Sequence, residues 1–263
     1  VFFERYHKFI QKVTGGAMYN YKISMQYDGG RYKGWQRLGD GENTIQGKIE
    51  HVLTEMVGTQ IEIIGCSRTD AGVHALMQVA NFKLPEKINE LEMKQYLNRY
   101  LPEDISVHEV IPVTEEFHAR YHAKKKTYLY KIWNKEHSNP FMRKYSMHVP
   151  KKLNVSQMQQ AAMHFIGEHD FTTFTNAKSR KKSMVRTIYS IEIEETGGFI
   201  IIRVSGDGFL YNMVRKMVGT LIEVGNGEIS QNEIPYILKS KQRDQSGVLA
   251  DACGLYLEKI EYD

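Results

Sequence analysis

Between Ile188 and Gly225 the spacing of apolar residues changes once, and that change narrows the folds open to the chain. The stretch IYSIEIEETGGFIIIRVSG alternates along two arms that turn at Gly197 and Gly198, the pattern of a β-hairpin. GFLYNMVRKMVGTLIEVG follows, and there Phe209, Leu210, Met213, Val214, Met217 and Leu221 form one stripe at helical spacing, with Arg215 off it. A hairpin running into an amphipathic helix breaks the strict strand and helix alternation of a parallel sheet. The expected class is therefore α+β with mainly antiparallel sheet and flanking helices.

The first half follows the same logic with other residues. YNYKISMQY places Tyr19, Tyr21, Ile23, Met25 and Tyr27 on one face, the period of a strand. TIQGKIEHVLTEMVG sets Ile45, Ile49, Val52, Leu53 and Met56 at helical spacing, and Asn43 with Gln46 has the form of a capping box. IEIIG reads as a short buried strand, HALMQVANFKL as its return, and NELEMKQYLNRYL as a helix ended by Pro102. TYLYKIWN and GLYLEKIEYD add strands in the second half. Two strand and helix halves in 263 residues predict two related lobes, an N-terminal one over 18–122 and a C-terminal one over 123–263. Residues 1–17 are expected to be a leader or an expression remnant, or equally a native helical extension, with Met18 as the original start.

Charge is unevenly placed. Against 35 basic residues stand 31 acidic ones, a net of only +4, yet His118 to Lys152 holds ten Lys or Arg against Glu136 alone. Such a run is ordinarily a solvated face, and its local excess beside aromatic residues makes it a candidate anion track. Cys66 and Cys253 lack metal-ligand spacing and cannot build a disulfide framework, which predicts a reducing, cytoplasmic setting. No apolar run approaches the roughly 18 residues of a membrane span, so no membrane association is expected.

GCSRTDAGVHALMQ leaves the IEIIG strand with Arg68, Asp70 and His74 within seven positions and Gly65 and Gly72 around them. The plain reading is a turn with a surface ion pair. Its place at the end of a buried strand favours a carboxylate held partly dry beside a guanidinium, which keeps the acid ionised for use as a nucleophile or base. The ten histidines are scattered without metal-ligand spacing and read as structural or as facing the candidate anion track, while Tyr27, Asp28 and Trp35 read as a packed turn.

RTDAGVHA resembles the signature of the tRNA pseudouridine synthases of the TruA family. Further segments match in the family's order: YDGGRYKGWQR with TIQGKIE, FHARYHAKKKTYLYKI, HDFTTF, RTIYSIEI, GFLYNMVRKMVGTLIEVGNG and GLYLEKIEY. The resemblance runs from about Met18 to Tyr262. Two departures stand out: Cys66-Ser67 where small residues such as Ala-Gly are common, and SGVLADACGL where Gly-Pro-Thr-Ala is usual.

The resemblance implies the pseudouridine synthase fold with a central RNA-binding cleft, and isomerisation of uridine to pseudouridine in the tRNA anticodon stem-loop at positions 38, 39 and 40. It implies a homodimer that uses no cofactor and no metal. The family's essential aspartate falls on Asp70, its active-site tyrosine on Tyr128, with Lys126 at the usual Arg position, and its second arginine on Arg215. Leu255, beside the second departure, falls on the pocket wall. Breaking the bond from N1 to C1′, turning the uracil and joining C5 to C1′ needs a group that acts on the sugar and one that removes the C5 proton. An ionised Asp70 attacks C1′ or removes a ribose proton to give a glycal; both routes suit that residue. A phenol is a poor base near its reference pKa of about 10, so Tyr128 would act through tuning by cations such as Arg215 and Arg68. The target nucleotide must leave its stack, and Arg68 is placed to fill the gap it leaves. Lys124, Lys125 and Lys126, with Arg180, Lys181 and Lys182 of KSRKKSMVR, become the expected track for RNA phosphates. The alternatives are a synthase acting elsewhere in RNA and a tRNA-binding module without turnover.

Overall fold

The computed structural model describes residues 18–39, 43–176 and 183–263. The chain divides into two compact units, one running to Ala123 and taking in Asp263, the other Lys124–Tyr262. The leader expected at 1–17 lies outside the described residues.

In the first unit, β1 (Tyr19–Tyr27) pairs antiparallel with both β3 (His74–Leu84) and β4 (Ile105–Val113), and the short β2 (Ile64–Gly65) joins β3. Two helices, α1 (Ile45–Val57) and α2 (Glu90–Tyr100), supply Ile45, Ile49, Leu53, Met93 and Leu97 to a core shared with Tyr21, Ile23, Met25 and Phe82. Alternation does not mark β4, which carries Pro112. Within this unit it pairs on one side only, where a missing N–H is tolerated.

Three local departures from the expected pattern have visible causes. Tyr19 is exposed and Asn20 buried, because the Asn20 amide donates to the carbonyls of Thr114 at 2.9 Å and Phe117 at 3.0 Å and accepts from Asn81 at 3.1 Å. The capping box of Asn43 and Gln46 does not form. The cap is Thr44, whose hydroxyl accepts from Gly47 N at 3.2 Å, while the Gln46 side chain accepts from Arg37 N at 3.1 Å. The IEIIG strand shrinks to Ile64–Gly65, since the amides of Ile61 and Ile63 donate to side chains of α1, Thr54 Oγ1 at 3.1 Å and Glu50 Oε1 at 3.0 Å.

Among the described residues of this unit Glu50 is the buried acid. It also accepts from Gln46 Nε2 at 2.8 Å, and its second oxygen lies 3.3 Å from Arg37 Nη1 at an angle unsuited to a hydrogen bond. Removing it orphans a buried amide and the Gln46 amide together. Glu50→Ala is expected to lower stability by about 3 kcal/mol, read from the shift in the urea midpoint.

In the second unit the antiparallel strand order is β10 (Leu255–Glu261), β5 (Lys125–Trp133), β9 (Phe199–Gly206), β8 (Val185–Thr196) and β7 (Gly167–Asp170), and β6 (Met147–His148) lies parallel to β5. The β8–β9 hairpin turns at Gly197 and Gly198 with φ of 58° and 89°, the left-handed pair that matches strand twist. Helix α3 (Val155–Met163) packs on α4 (Met213–Asn226) and on β8, and a short α5 (Ile234–Ser240) follows. Phe209 and Leu210, expected in the helical stripe, precede α4, because Asn212 takes φ 62° and starts the helix one residue later. Helix α4 is also buried nearly all round, Lys216 and Thr220 included, where an amphipathic stripe predicts one wet face. Residues 243–250 cover that second face through bonds to Lys216, Thr220 and Glu223.

Candidate active site

Asp70 sits in the loop between β2 and β3, and the loop is shaped by side chains and backbone rather than by a sheet ladder. The buried Gln78 amide accepts from Ser67 N at 3.2 Å and donates to Ser67 O at 2.8 Å. Thr69 is buried: its carbonyl accepts from Trp35 N at 3.0 Å and its hydroxyl meets Tyr27 Oη at 2.7 Å. Gly34 has φ 96°, and a Cβ there would stand 2.6 Å from the Thr69 carbonyl. At Gly65 a Cβ would meet the Trp35 ring at 2.4 Å. The YDGGRYKGW turn is therefore the packed support of the loop. The Asp70 carbonyl accepts from Val73 N at 3.1 Å, closing the turn and leaving the Asp70 side chain half-buried.

Arg68 is exposed, and within this unit it faces a like charge. Arg120 is half-buried with Nη2 donating to Gly65 O at 3.5 Å; burial first, and the charge of Arg68 second, hold its guanidinium below its ordinary pKa. Two guanidinium groups thus attend one loop, an arrangement suited to an anion. Arg120 was legible only as one member of a basic run. His74 is structural: it is buried, with Nδ1 at 3.1 Å from Gly29 N and 3.0 Å from Asp28 Oδ1.

In the second unit Tyr128 lies on β5, paired with Val204 of β9 and Leu257 of β10. Its ring is 8 % exposed and meets Phe209 edge-on at 5.1 Å. Tyr130, two residues on, donates from its hydroxyl to Asp251 O at 2.7 Å, and burial pushes its pKa well above the ordinary value. Tyr130 is thus a brace. Arg215 lies on the first turn of α4, where Nε donates to Ala250 O at 2.7 Å and Nη1 to Asn212 Oδ1 at 3.4 Å. Asn212 holds that guanidinium from a left-handed backbone. Asn212→Ala should cost about 1–2 kcal/mol, because alanine keeps the Cβ of a left-handed residue but loses the amide that eases that backbone and bonds Arg215, and Asn212→Gly, free of the Cβ clash, should cost less; urea midpoints of the two variants check the order.

The lysines differ among themselves. Lys125 forms an ion pair with Glu261 at 3.5 Å, and the Glu261 carboxyl is held below its ordinary pKa, first by a hydrogen bond from Lys259 and also by Lys125. Lys124 is exposed and Lys126 half-exposed. Leu255 opens β10 opposite Tyr130 and is buried. Arg180, Lys181 and Lys182 lie outside the described residues.

Residues 23–122 and 161–263 match the family model described as tRNA pseudouridine synthase. A tRNA pseudouridine synthase A 2 of Bacillus anthracis is 66 % identical over 245 residues, 93 % of this chain and 100 % of that protein. A tRNA pseudouridine synthase A of a Thermoanaerobacter species is 45 % identical over the same shares of each chain. An α+β fold of antiparallel sheets with an aspartate loop leaving a buried strand, joined to these matches, defines an isomerase. The chain belongs to the tRNA pseudouridine synthase family.

Proposed function

We propose that this enzyme isomerises uridine to pseudouridine in the anticodon stem-loop of tRNA, at positions 38, 39 and 40, and that it works as a cytoplasmic homodimer. The observation that carries the reading is the Asp70 loop: a half-buried carboxylate in the RTD motif, fixed by Gln78, Trp35 and Tyr27 from below. Such a frame lets an acid act on a sugar without first reorganising the loop.

The reaction conserves the atoms of the nucleotide apart from a proton exchange. The N1–C1′ bond breaks, with Asp70 either bonded to C1′ or holding a ribose proton. The freed uracil turns, C5 joins C1′, and C5 loses its proton while N1 gains one. Tyr128 is assigned the C5 proton, Arg215 the charge that develops on the detached uracil, and Arg68 with Arg120 the RNA backbone or the space left by the turned nucleotide. Because joining C5 to C1′ expels that hydrogen and binding alone does not, release of tritium from tRNA labelled at uridine C5 tests the reading. Stoichiometric release supports it, and tRNA binding without release would leave a binding module instead.

The basic track has a separate test. Reversing Lys124, Lys125 and Lys126 to Glu is expected to weaken tRNA binding and flatten its salt dependence, each lost phosphate contact removing about 0.7–0.9 from the log–log slope. Titrations at several salt concentrations measure this; an unchanged slope would move the track elsewhere.

A further inference from the structure

The segment after α5 does not run free to β10. It is bonded to α4 along two turns. Lys216 Nζ donates to Ser246 Oγ at 2.7 Å and to Arg243 O at 3.3 Å. Gly247 N donates to Thr220 Oγ1 and Val248 N to Glu223 Oε1, both at 2.9 Å. Ala250 N donates to Arg215 O at 3.3 Å, and Arg215 Nε returns a bond to Ala250 O at 2.7 Å. Asp251 O then takes the Tyr130 hydroxyl. The approach is backbone-close: a Cβ on Gly219 would stand 1.7 Å from Val248 O. Between the anchors Val248 and Leu249 remain exposed.

Lys216 is the costly member of this set. Only 8 % exposed and flanked on its helix by Met213 and Met217, it gives up hydration that a methionine would not need. Burial, and then the charge of Arg243, lower its pKa, so the ammonium is held against a penalty. What it gains is the strap. We infer that Lys216 is a positioning residue: by pinning Arg243–Ser246 to α4 it fixes the carbonyl of Ala250, and through it the direction of the Arg215 guanidinium. The inference rests on the assignment of Arg215 in the proposed function.

The test uses the full chain with Lys216→Met, Lys216→Gln and Arg215→Met. Methionine keeps the packing, so Lys216→Met should fold with a melting temperature near the parent's, a buried charge being replaceable by an apolar group of similar volume. Its single-turnover rate should fall about 10–100-fold, the scale of a misplacement of about 1 Å, while Kd for tRNA stays within about twofold. Trypsin should cut after Arg243 about tenfold faster, because the carbonyl of that bond loses the bond that ties it to α4 and keeps only the exposed Ser246 hydroxyl, from its own segment. Lys216→Gln, which keeps one donor, should fall between. Parental turnover in Lys216→Met beside an inactive Arg215→Met overturns the inference and leaves the Arg215 assignment standing. Parental turnover in both removes the assignment and the inference with it. A loss confined to Kd, or an unchanged trypsin rate, also overturns it, since the strap would then be an RNA contact or be held by other bonds.

Discussion

Asp70→Asn is expected to lose pseudouridine formation by about 10²–10⁴-fold or more while tRNA affinity changes little. The amide matches the carboxylate in shape, and the loop that carries it is held by Gln78, Thr69 and Trp35, so the fold should survive. What disappears is the charge. An amide neither attacks C1′ nor removes a ribose proton, and removal of a group in either role costs about 10²–10⁴-fold or more. Single-turnover assays with saturating enzyme, beside filter binding, measure both quantities. Turnover near the parent's would remove Asp70 from the chemistry, and an affinity loss as large as the rate loss would make it a binding residue.

Tyr128→Phe should stop the reaction later. The ring stays against Phe209, and its neighbours on β9 and β10 are unchanged, so both packing and stacking on a base are retained. Without the hydroxyl, the C5 proton has no acceptor. The expected result is tRNA consumed at the glycosidic bond with tritium retained at C5 and no pseudouridine formed. Full tritium release in this variant would mean that another group takes the proton. Tyr130 is poorly suited to replace it, being spent on Asp251 O and pushed well above its ordinary pKa by burial.

Periodicity located what depends on periodicity. β1 and the helix that precedes IEIIG follow from apolar spacing, and the Gly197-Gly198 turn follows from the conformations that glycine permits. Features made by a single side chain reaching across the fold were not legible. Gln78 looks like one polar position in a strand, yet its two-way bond to Ser67 shapes the Asp70 loop. Asn212 reads as an interior helix residue, but its φ of 62° starts α4 and aims Arg215. Lys216 reads as a solvent-facing charge because nothing in the spacing reveals that a strap returns from 30 residues downstream to cover it. Asp70, Tyr128 and Arg215 were visible as positions in motifs; their supports, Gln78, Asn212 and Ala250, depend on contacts that apolar spacing does not mark. The RNA-facing side is legible only as charge, and Lys125 shows the limit of that reading, since Glu261 lies within ion-pair reach of it.

Asp70 is proposed to drive uridine isomerisation in the anticodon stem-loop. Carbodiimide modification of unmodified bulk tRNA after incubation with the enzyme, followed by primer extension, reads pseudouridine position by position. New stops at uridines 38, 39 and 40 with the parent, and none with Asp70→Asn, are the predicted result; no new stops with the parent, or the same stops with Asp70→Asn, would contradict it.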